Sequence, residues 1–340
     1  MVWIEKYRPK DLDEIVGQEQ VVAHLKSWAL SGTVPHSLLF GPHGTGKSVA
    51  VECLAKRLYG ELWEENTTII KTGELFGQGK SYLEANDRFN HLYKKEESLI
   101  TNFKYIVKWY ASILPLNAPF KLMVFEEAAA LTHEAQQALR RIMEQFSITC
   151  RFLYCTTNPS SIIPAINSRC YPLFFGPLSE EGIRSVLDHI LREEKIANDR
   201  ITQDDIDLVI KSAYGDLRRA IMFLQVFAEL PSHHDLSEIT MSETTNLAGL
   251  AIKFLREKDL PSAQKMTESL LIDYGLAGQE VLEELSRTIE KDYNDPRLAI
   301  QIAATDEAIV QNGNDFTQLN ALLAQMLHEV FDEKSTEALR

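Results

Sequence analysis

The sequence predicts an α/β fold built on a mostly parallel sheet, followed by an all-helical remainder, and three observations carry that reading. From residue 1 to about 176, short apolar runs alternate with helical segments, the pattern of strands covered by crossover helices. One of those runs, Ser37–Phe40, leads straight into Gly41-Pro42-His43-Gly44-Thr45-Gly46-Lys47-Ser48, the G-x-x-x-x-G-K-[ST] pattern of a phosphate-gripping loop. Beyond the turn pair Gly176-Pro177 the strand-like runs stop and only helical periodicity is left.

The elements follow in order. Strands are expected at Ser37–Phe40, Thr67–Lys71, Lys121–Phe125, Phe152–Thr156 and Leu173–Phe175. Helical periodicity from Val49 to Leu58 places the glycine-rich loop at a positive helix end. The segment Leu131–Glu144 reads as a helix with Thr132 at its start. Ser179 caps a helix over Glu180–Arg192, Thr202 and Asp205 open one over Thr202–Ala213, and Gly215-Asp216 precede a third over Leu217–Phe227. Pro231–Asp235 reads as a hinge. Beyond it, Leu319, Leu322, Leu323, Met326, Leu327, Val330 and Phe331 form the cleanest amphipathic stripe of the chain, serving either a bundle core or a self-associating collar. The domain expectation is therefore 1–176, 177–232 and 236–335.

Composition narrows the function. A length of 340 residues with 45% hydrophobic and 25% charged residues suits two or three packed domains and argues against disorder. No apolar run is long enough to span a bilayer, and Met1–Lys6 lacks the layout of a signal peptide, so no membrane association and an intracellular protein are expected. Cys53, Cys150, Cys155 and Cys170 show no C-x-x-C spacing and read as reduced thiols. A net charge of −14 argues against binding nucleic acid over the whole surface. Residues 236–340 hold 19 acidic and 9 basic residues, whereas the segment 80–110 gathers Lys80, Arg88, Lys94, Lys95, Lys104 and Lys108 and leaves room for a local basic surface.

The chemistry points to a nucleoside triphosphate. Glycines at 41, 44 and 46 let backbone N–H groups turn toward phosphates, Lys47 supplies a mobile charge, and the Ser48 hydroxyl is a Mg²⁺ ligand. Hydrolysis needs a carboxylate on the metal side and usually a second to orient water. Strand Leu122–Phe125 delivers Glu126 and Glu127 in adjacent positions at its end, and because side chains alternate faces on a strand, one can face metal and the other water. Asn158 closes the following strand and can hydrogen-bond a γ-phosphate or water. Arg169, in Ser168-Arg169-Cys170, is either a surface cation or an arginine finger acting across an interface; Arg218 could reach the nucleotide from the helical side; Arg140 and Arg141 are either solvated charges or face a phosphate backbone.

Taken together, Glu5-Lys6-Tyr7-Arg8-Pro9, Ile15-Val16-Gly17-Gln18, the phosphate loop, the Leu131–Glu144 helix, Ser168-Arg169-Cys170 and Gly215-Asp216-Leu217-Arg218 resemble the small subunits of replication factor C, the AAA+ sliding-clamp loader. The resemblance spans residues 1 to about 230 and, more loosely, the helical remainder. It implies an AAA+ P-loop ATPase domain, a small helical lid and an all-α collar, together coupling ATP binding and hydrolysis to loading a sliding clamp onto primer-template DNA. Implied partners are the other subunits of a hetero-oligomeric ring, a pentamer, together with clamp and DNA; the implied compartment is the cytoplasm for an archaeal-type loader or the nucleus for a eukaryotic one.

By position, the resemblance implies that Tyr7, Arg8, Pro9, Val16 and Gly17 border the adenine and that residues 41–48 hold the phosphates of ATP or ADP with Mg²⁺. It makes Glu127 the residue that polarises water, Asn158 and Arg218 sensors, and Arg169 a finger for the neighbouring subunit. Two departures stand out. The family's D-E-A-D run is here Glu126-Glu127-Ala128-Ala129, and one extra methylene at Glu126 bears on the tight octahedral geometry of Mg²⁺. The segment 72–114 is longer than in the family and carries Tyr82, Phe89, Tyr93, Phe103, Tyr105, Trp109 and Tyr110 among lysines, as core aromatics, a nucleic-acid surface or a clamp contact. Two other functions stay open: an ATP-holding subunit that hardly hydrolyses, or a different motor such as a branch-migration helicase or helicase loader.

Overall fold

Five parallel strands run in the order β2-β3-β4-β1-β5 in a computed structural model that describes residues 2–115, 117–196, 200–229, 243–274, 276–292, 295–310 and 314–331. They are β1 (Ser37–Phe40), β2 (Thr67–Lys71), β3 (Lys121–Glu126), β4 (Cys150–Thr156) and β5 (Tyr171–Phe174). All five predicted strands are present, with β4 and β5 each starting two residues earlier than the apolar runs suggested. The early starts have physical reasons. Cys150 pairs with Lys121 in register, and the Tyr171 N–H donates to the His36 carbonyl at 2.7 Å, so the ladder recruits residues whose side chains carry little strand signal.

Both faces of the sheet are buried, which is why its central strands read as continuous apolar runs. Met123, Phe125, Phe152 and Tyr154 face one core with α5 (Leu99–Ser112) and α6 (His133–Gln145). Leu122, Val124, Leu153 and Cys155 face the other with α1 (Glu19–Ser31) and α2 (Lys47–Tyr59). Each such side chain contributes about 1.5–3 kcal/mol through burial. Two further helices, α3 (Thr72–Gln78) and α4 (Lys80–Ala85), lie in the long segment after β2.

That segment settles as core packing. Tyr82, Phe89 and Phe103 are buried, while Tyr93, Trp109 and Tyr110 are partly buried against the same cluster. Tyr105 is the exposed one, with the Lys94 ammonium 4.8 Å from its ring centre. Several of the cations have internal partners: Arg88 donates to the carbonyls of Thr67 and Glu64 at 2.8 Å each, Lys80 to that of Lys95 at 2.9 Å, and Lys104 pairs with Glu134. The insertion thereby buttresses edge strand β2.

The three helices expected after Gly176-Pro177 are α7 (Glu180–Glu193), α8 (Gln203–Ala213) and α9 (Leu217–Glu229). The predicted caps act as caps: Ser179 Oγ accepts from the Gly182 N–H at 3.1 Å, and Thr202 and Asp205 exchange the two bonds of a capping box. The chain divides into two compact units, residues 1–234 and 235–340. The hinge expected at 231–235 lies outside the described residues.

In the second unit the described residues form helices Glu243–Arg256, Leu260–Ile272, Gly278–Asp292, Pro296–Val310 and Asp315–Met326, ending in a π-helical turn over Leu327–Phe331. The predicted stripe is its core: Leu319, Leu322, Leu323 and Met326 are buried, and Leu327, Val330 and Phe331 pack partly buried against them. Among the described residues no helix is long and apolar enough to cross a membrane, and all four cysteines are buried, unbridged thiols.

Candidate nucleotide-binding site

The site is assembled by sheet order. β3, β4 and β1 are neighbours, so Glu126-Glu127, Thr156-Thr157-Asn158 and the loop 41–48 all emerge at one carboxyl edge, where open parallel sheets bind ligands. The loop is fastened there by the Gly41 N–H donating to the Thr156 carbonyl at 3.3 Å. Gly41 has φ 147°, and a Cβ on it would lie 2.0 Å from the Phe175 carbonyl oxygen, so no other residue fits. Gly44 is held to glycine chiefly by its left-handed backbone at φ +67°, and a Cβ there would lie 1.6 Å from Asp216 Oδ1, which would have to turn aside.

Lys47 opens α2, and its ammonium donates to the carbonyls of Gly41 (2.7 Å) and Pro42 (2.5 Å). Burial pulls its pKa down; the nearby Cys155 thiol and Asp216 work the other way, and Arg218 reinforces the drop. A half-buried cation folded onto its own loop carbonyls is ready to exchange them for phosphate oxygens. Thr45 Oγ1 donates to the Pro42 carbonyl at 2.9 Å and stiffens the turn, and His43 at its apex is exposed. Ser48 is half-buried in the first turn of the helix.

The carboxylate pair departs from expectation. Glu126 ends β3 in register with Lys71, but Glu127 leaves the strand with φ 53° and ψ 44°, so the two side chains are not on alternate faces of one strand. A left-handed conformation costs a non-glycine residue on the order of 1–3 kcal/mol. What holds it is Thr72, fully buried, whose hydroxyl donates to the carbonyls of Glu126 at 2.6 Å and Glu127 at 2.7 Å.

Asn158 is exposed and its side-chain oxygen is engaged, accepting from the Ser160 N–H (3.1 Å) and hydroxyl (2.6 Å) as the cap of a short turn. Arg169 is bound within the chain: Nε and Nη2 reach Glu144 Oε1 at 3.1 and 2.6 Å, and Nη1 donates to the Ala165 carbonyl at 2.7 Å. Arg141 is exposed, whereas Arg140 is half-buried with Nε lacking a hydrogen-bond partner. Arg218 is exposed in the first turn of α9, beside Asp216, whose Oδ1 caps that helix through the Arg219 N–H at 3.0 Å.

The N-terminal residues bridge the sheet region and the three-helix region. Arg8 Nη2 donates to Glu52 at 2.8 Å while its buried Nε lacks a partner, and the Pro9 carbonyl accepts from the Cys53 thiol. Tyr7 and Lys6 both donate to Glu194 Oε1, at 2.8 and 2.7 Å; a Cβ on Gly17 would press on Leu178 at 3.3 Å, and one on Gly182 would meet Val16 at 3.6 Å.

Three contributors escaped the sequence reading as site residues: Gln18, Asp216 and Thr72. Gln18 is buried and its amide donates to the Gly176 carbonyl at 2.8 Å and the Thr45 carbonyl at 3.4 Å, tying loop, linker and N-terminal segment. Asp216 and Gln18 stood inside quoted motifs, so signal existed. Thr72 gave none beyond its place after a strand. The donor set suits Mg²⁺, which takes few protein oxygens and several from phosphate and water: Ser48 offers a hydroxyl and Glu126 a carboxylate. Among the described residues no cluster of three or more His, Cys, Asp or Glu gathers.

The chain is similar to known proteins in sequence and in fold. The family described as DNA polymerase III, delta subunit, matches residues 17–179, and the replication factor C C-terminal domain matches residues 250–325. The replication factor C small subunit of Methanococcus vannielii is 33% identical over 338 residues, covering 95% of this chain and 98% of the relative. That of Archaeoglobus fulgidus is 32% identical over 96% of this chain and 97% of its own length, and that of Picrophilus torridus 34% over 96% of each. In fold, the chain is similar to the Aeropyrum pernix ORC1 protein in complex with DNA, with a TM-score of 0.56, 18% identity and coverage of 91% of this chain and 86% of that one. A Thermotoga maritima RuvB variant gives 0.51 and 16%, covering 86% and 91%.

Proposed function

The chain belongs to the replication factor C small-subunit family, and from that premise we propose how its residues divide the work of a clamp-loading ATPase. It is a subunit of the loader that uses ATP to place a sliding clamp on DNA. The observation that carries the residue assignment is the meeting of the phosphate loop, the Glu126-Glu127 pair and Asn158 at one edge of three adjacent strands.

ATP binds with its phosphates on the amides of residues 41–48 and its adenine against Tyr7, Arg8, Pro9, Val16 and Gly17. Lys47 leaves its loop carbonyls for the terminal phosphates. Ser48 and Glu126 would hold Mg²⁺, which would supply neutralisation of the phosphate charge. Glu127 accepts the proton of the attacking water, and Asn158 and Arg218 hold the γ-phosphoryl group from the sheet and the helical side. Residues 177–232 act as a lid, and 236–335 as a collar in a hetero-oligomeric ring, a pentamer. Arg169 swings from Glu144 to the nucleotide of the neighbouring subunit, while Arg141 meets the phosphate backbone of primer-template DNA. The compartment is the cytoplasm for an archaeal-type loader or the nucleus for a eukaryotic one.

Calorimetry with ATP on the purified chain tests the core of this. Lys47→Ala should reduce affinity at least tenfold, consistent with loss of a charge-assisted contact of roughly 1.5–3 kcal/mol; equal affinity in both proteins would refute the site. In the reconstituted complex, Arg169→Ala should leave this chain's own ATP affinity intact while slowing hydrolysis next door. Glu126 favours a second reading, a subunit that holds ATP and turns it over poorly. Under it Glu126→Asp raises turnover, and an unchanged rate removes it.

A further inference from the structure

A carboxylate faces the phosphate loop from the helical side. Gly215, at φ +82°, lies so close to the linker that a Cβ on it would stand 2.6 Å from Pro177 Cβ, and its carbonyl accepts from the Leu178 N–H at 3.1 Å. That contact delivers the next residue, Asp216, onto the loop. The three heavy atoms nearest to a Cβ built on Gly44 are Oδ1, Cγ and Oδ2 of Asp216, so the whole carboxylate packs against this glycine. Its Oδ1 also accepts from the Arg219 N–H at 3.0 Å and caps α9. Capping alone does not call for a charge, because asparagine and serine cap helices about as well as aspartate does.

We propose that Asp216 limits how tightly the site holds nucleotide, its carboxylate opposing the phosphates that the loop 41–48 receives. The proposal rests on the reading of that loop as the phosphate site. The Lys47 ammonium, assigned to the terminal phosphates, lies close enough to both Asp216 and Arg218 to feel the charge of each. Phosphate held by that lysine therefore meets two opposite charges placed two residues apart at the start of one helix. It attracts Arg218 and repels Asp216. Across a few ångströms of partly buried protein, one like charge weakens binding by about three- to tenfold, and salt reduces the effect. Asp216 thereby offsets part of the grip that Lys47 and Arg218 supply. A nucleotide held less tightly leaves sooner, which suits a site that must discard ADP before the next turnover.

The test is calorimetry on the purified full chain at low salt with ATP and ADP, and with adenosine in competition against ATP. Asp216→Asn removes the charge and keeps an oxygen for the Arg219 N–H; Asp216→Ser is a second neutral cap of different shape. ATP should bind about fivefold tighter to either variant, ADP should gain less, adenosine should gain nothing, and the gain should fade as salt is raised. Asp216→Glu keeps the charge and should not share the gain. An ATP affinity that is unchanged or weaker in both neutral variants overturns the proposal. A gain of equal size for adenosine, which carries no phosphate, or for Asp216→Glu overturns it as well, since charge would not be the cause. Lys47→Ala, measured alongside, separates the two readings: undiminished ATP affinity there would instead remove the assignment of the loop on which the proposal stands.

Discussion

The same five strands end in two differently built edges. At the amino edge, polar groups are consumed internally. Arg151 donates through Nε to the Val34 carbonyl at 2.7 Å and through Nη1 to those of Ser147 and Cys150, with its guanidinium 4.8 Å from the Phe120 ring centre. Tyr59 donates to the Phe120 carbonyl at 3.0 Å, and His36 accepts from the Phe152 N–H at 3.0 Å. At the carboxyl edge the backbone turns left-handed at Gly44, Gly46 and Glu127, and Lys47 rests on carbonyls of its own loop. One edge is locked by side chains bonded to the backbone of neighbouring segments, whereas at the other the cation rests on carbonyls of its own loop. The lesson is that what the polar groups are bonded to, more than burial, separates the two ends of this sheet.

The comparison breaks if a substitution at the carboxyl edge costs stability without cost to rate. The largest effect is expected at Glu127. Glu127→Gln keeps the size of the side chain and removes the proposed base, so hydrolysis by this chain should fall by about a thousandfold, worth about 4 kcal/mol of barrier. Thermal denaturation should move little. Steady-state ATPase assays beside calorimetry check both halves.

The amino edge predicts the mirror image. Arg151→Ala strands three backbone carbonyls and uncovers the Phe120 ring, so unfolding free energy should drop by about 2–3 kcal/mol. ATP affinity should stay the same. Chemical denaturation with an ATP titration measures this, and a loss of affinity equal to the loss of stability would erase the distinction between the edges.

A pH dependence sharpens the same point. Burial, with the Arg151 charge nearby as a lesser cause, pulls His36 down to about 4, against an ordinary 6.5. As pH falls the unfolded chain takes up this proton first. Stability is therefore complete above about pH 6.5 and is lost between there and about pH 4, to the extent of about 2 kcal/mol once solvent screening of the partly exposed ring is discounted from the full shift. His36→Asn, which offers an oxygen in place of Nδ1, should flatten that segment of the stability curve.

The division between edges also explains what could be read from the sequence. Periodicity and cap chemistry are local, so the strands, the α7–α9 caps at Ser179 and Thr202, and the stripe from Leu319 to Phe331 were legible. The phosphate loop was legible too, because glycines at fixed offsets leave few alternatives. Positions decided by pairing across the fold were not. Glu127 leaves its strand beside Thr72, the first residue of the helix that follows the neighbouring strand, and no spacing within Leu122–Glu127 encodes that contact. Likewise the aromatics and lysines of 72–114 gave one pattern for core and for surface, and only the packing of Tyr82 and Phe89 with Phe103 of α5 and Ile70 of β2 decided between them.

The smallest effect is expected where the proposed site meets its own surface. The pair Arg169–Glu144 joins an exposed cation to an exposed carboxylate at 2.6 Å, with side chains 38% and 50% accessible. Water screens such a pair, and holding two long side chains together costs entropy, so Glu144→Ala should change stability by no more than about 0.5 kcal/mol. Its consequence lies elsewhere. If Arg169 serves a neighbouring subunit, releasing it from Glu144 removes a competitor for the guanidinium, and hydrolysis at the adjoining site of the reconstituted loader should rise modestly, by about twofold, since about 0.4 kcal/mol of competition is lifted. A fall in that rate would mean that Glu144 holds the arginine in the posture the neighbour needs, and would turn the pair from a competitor into a guide.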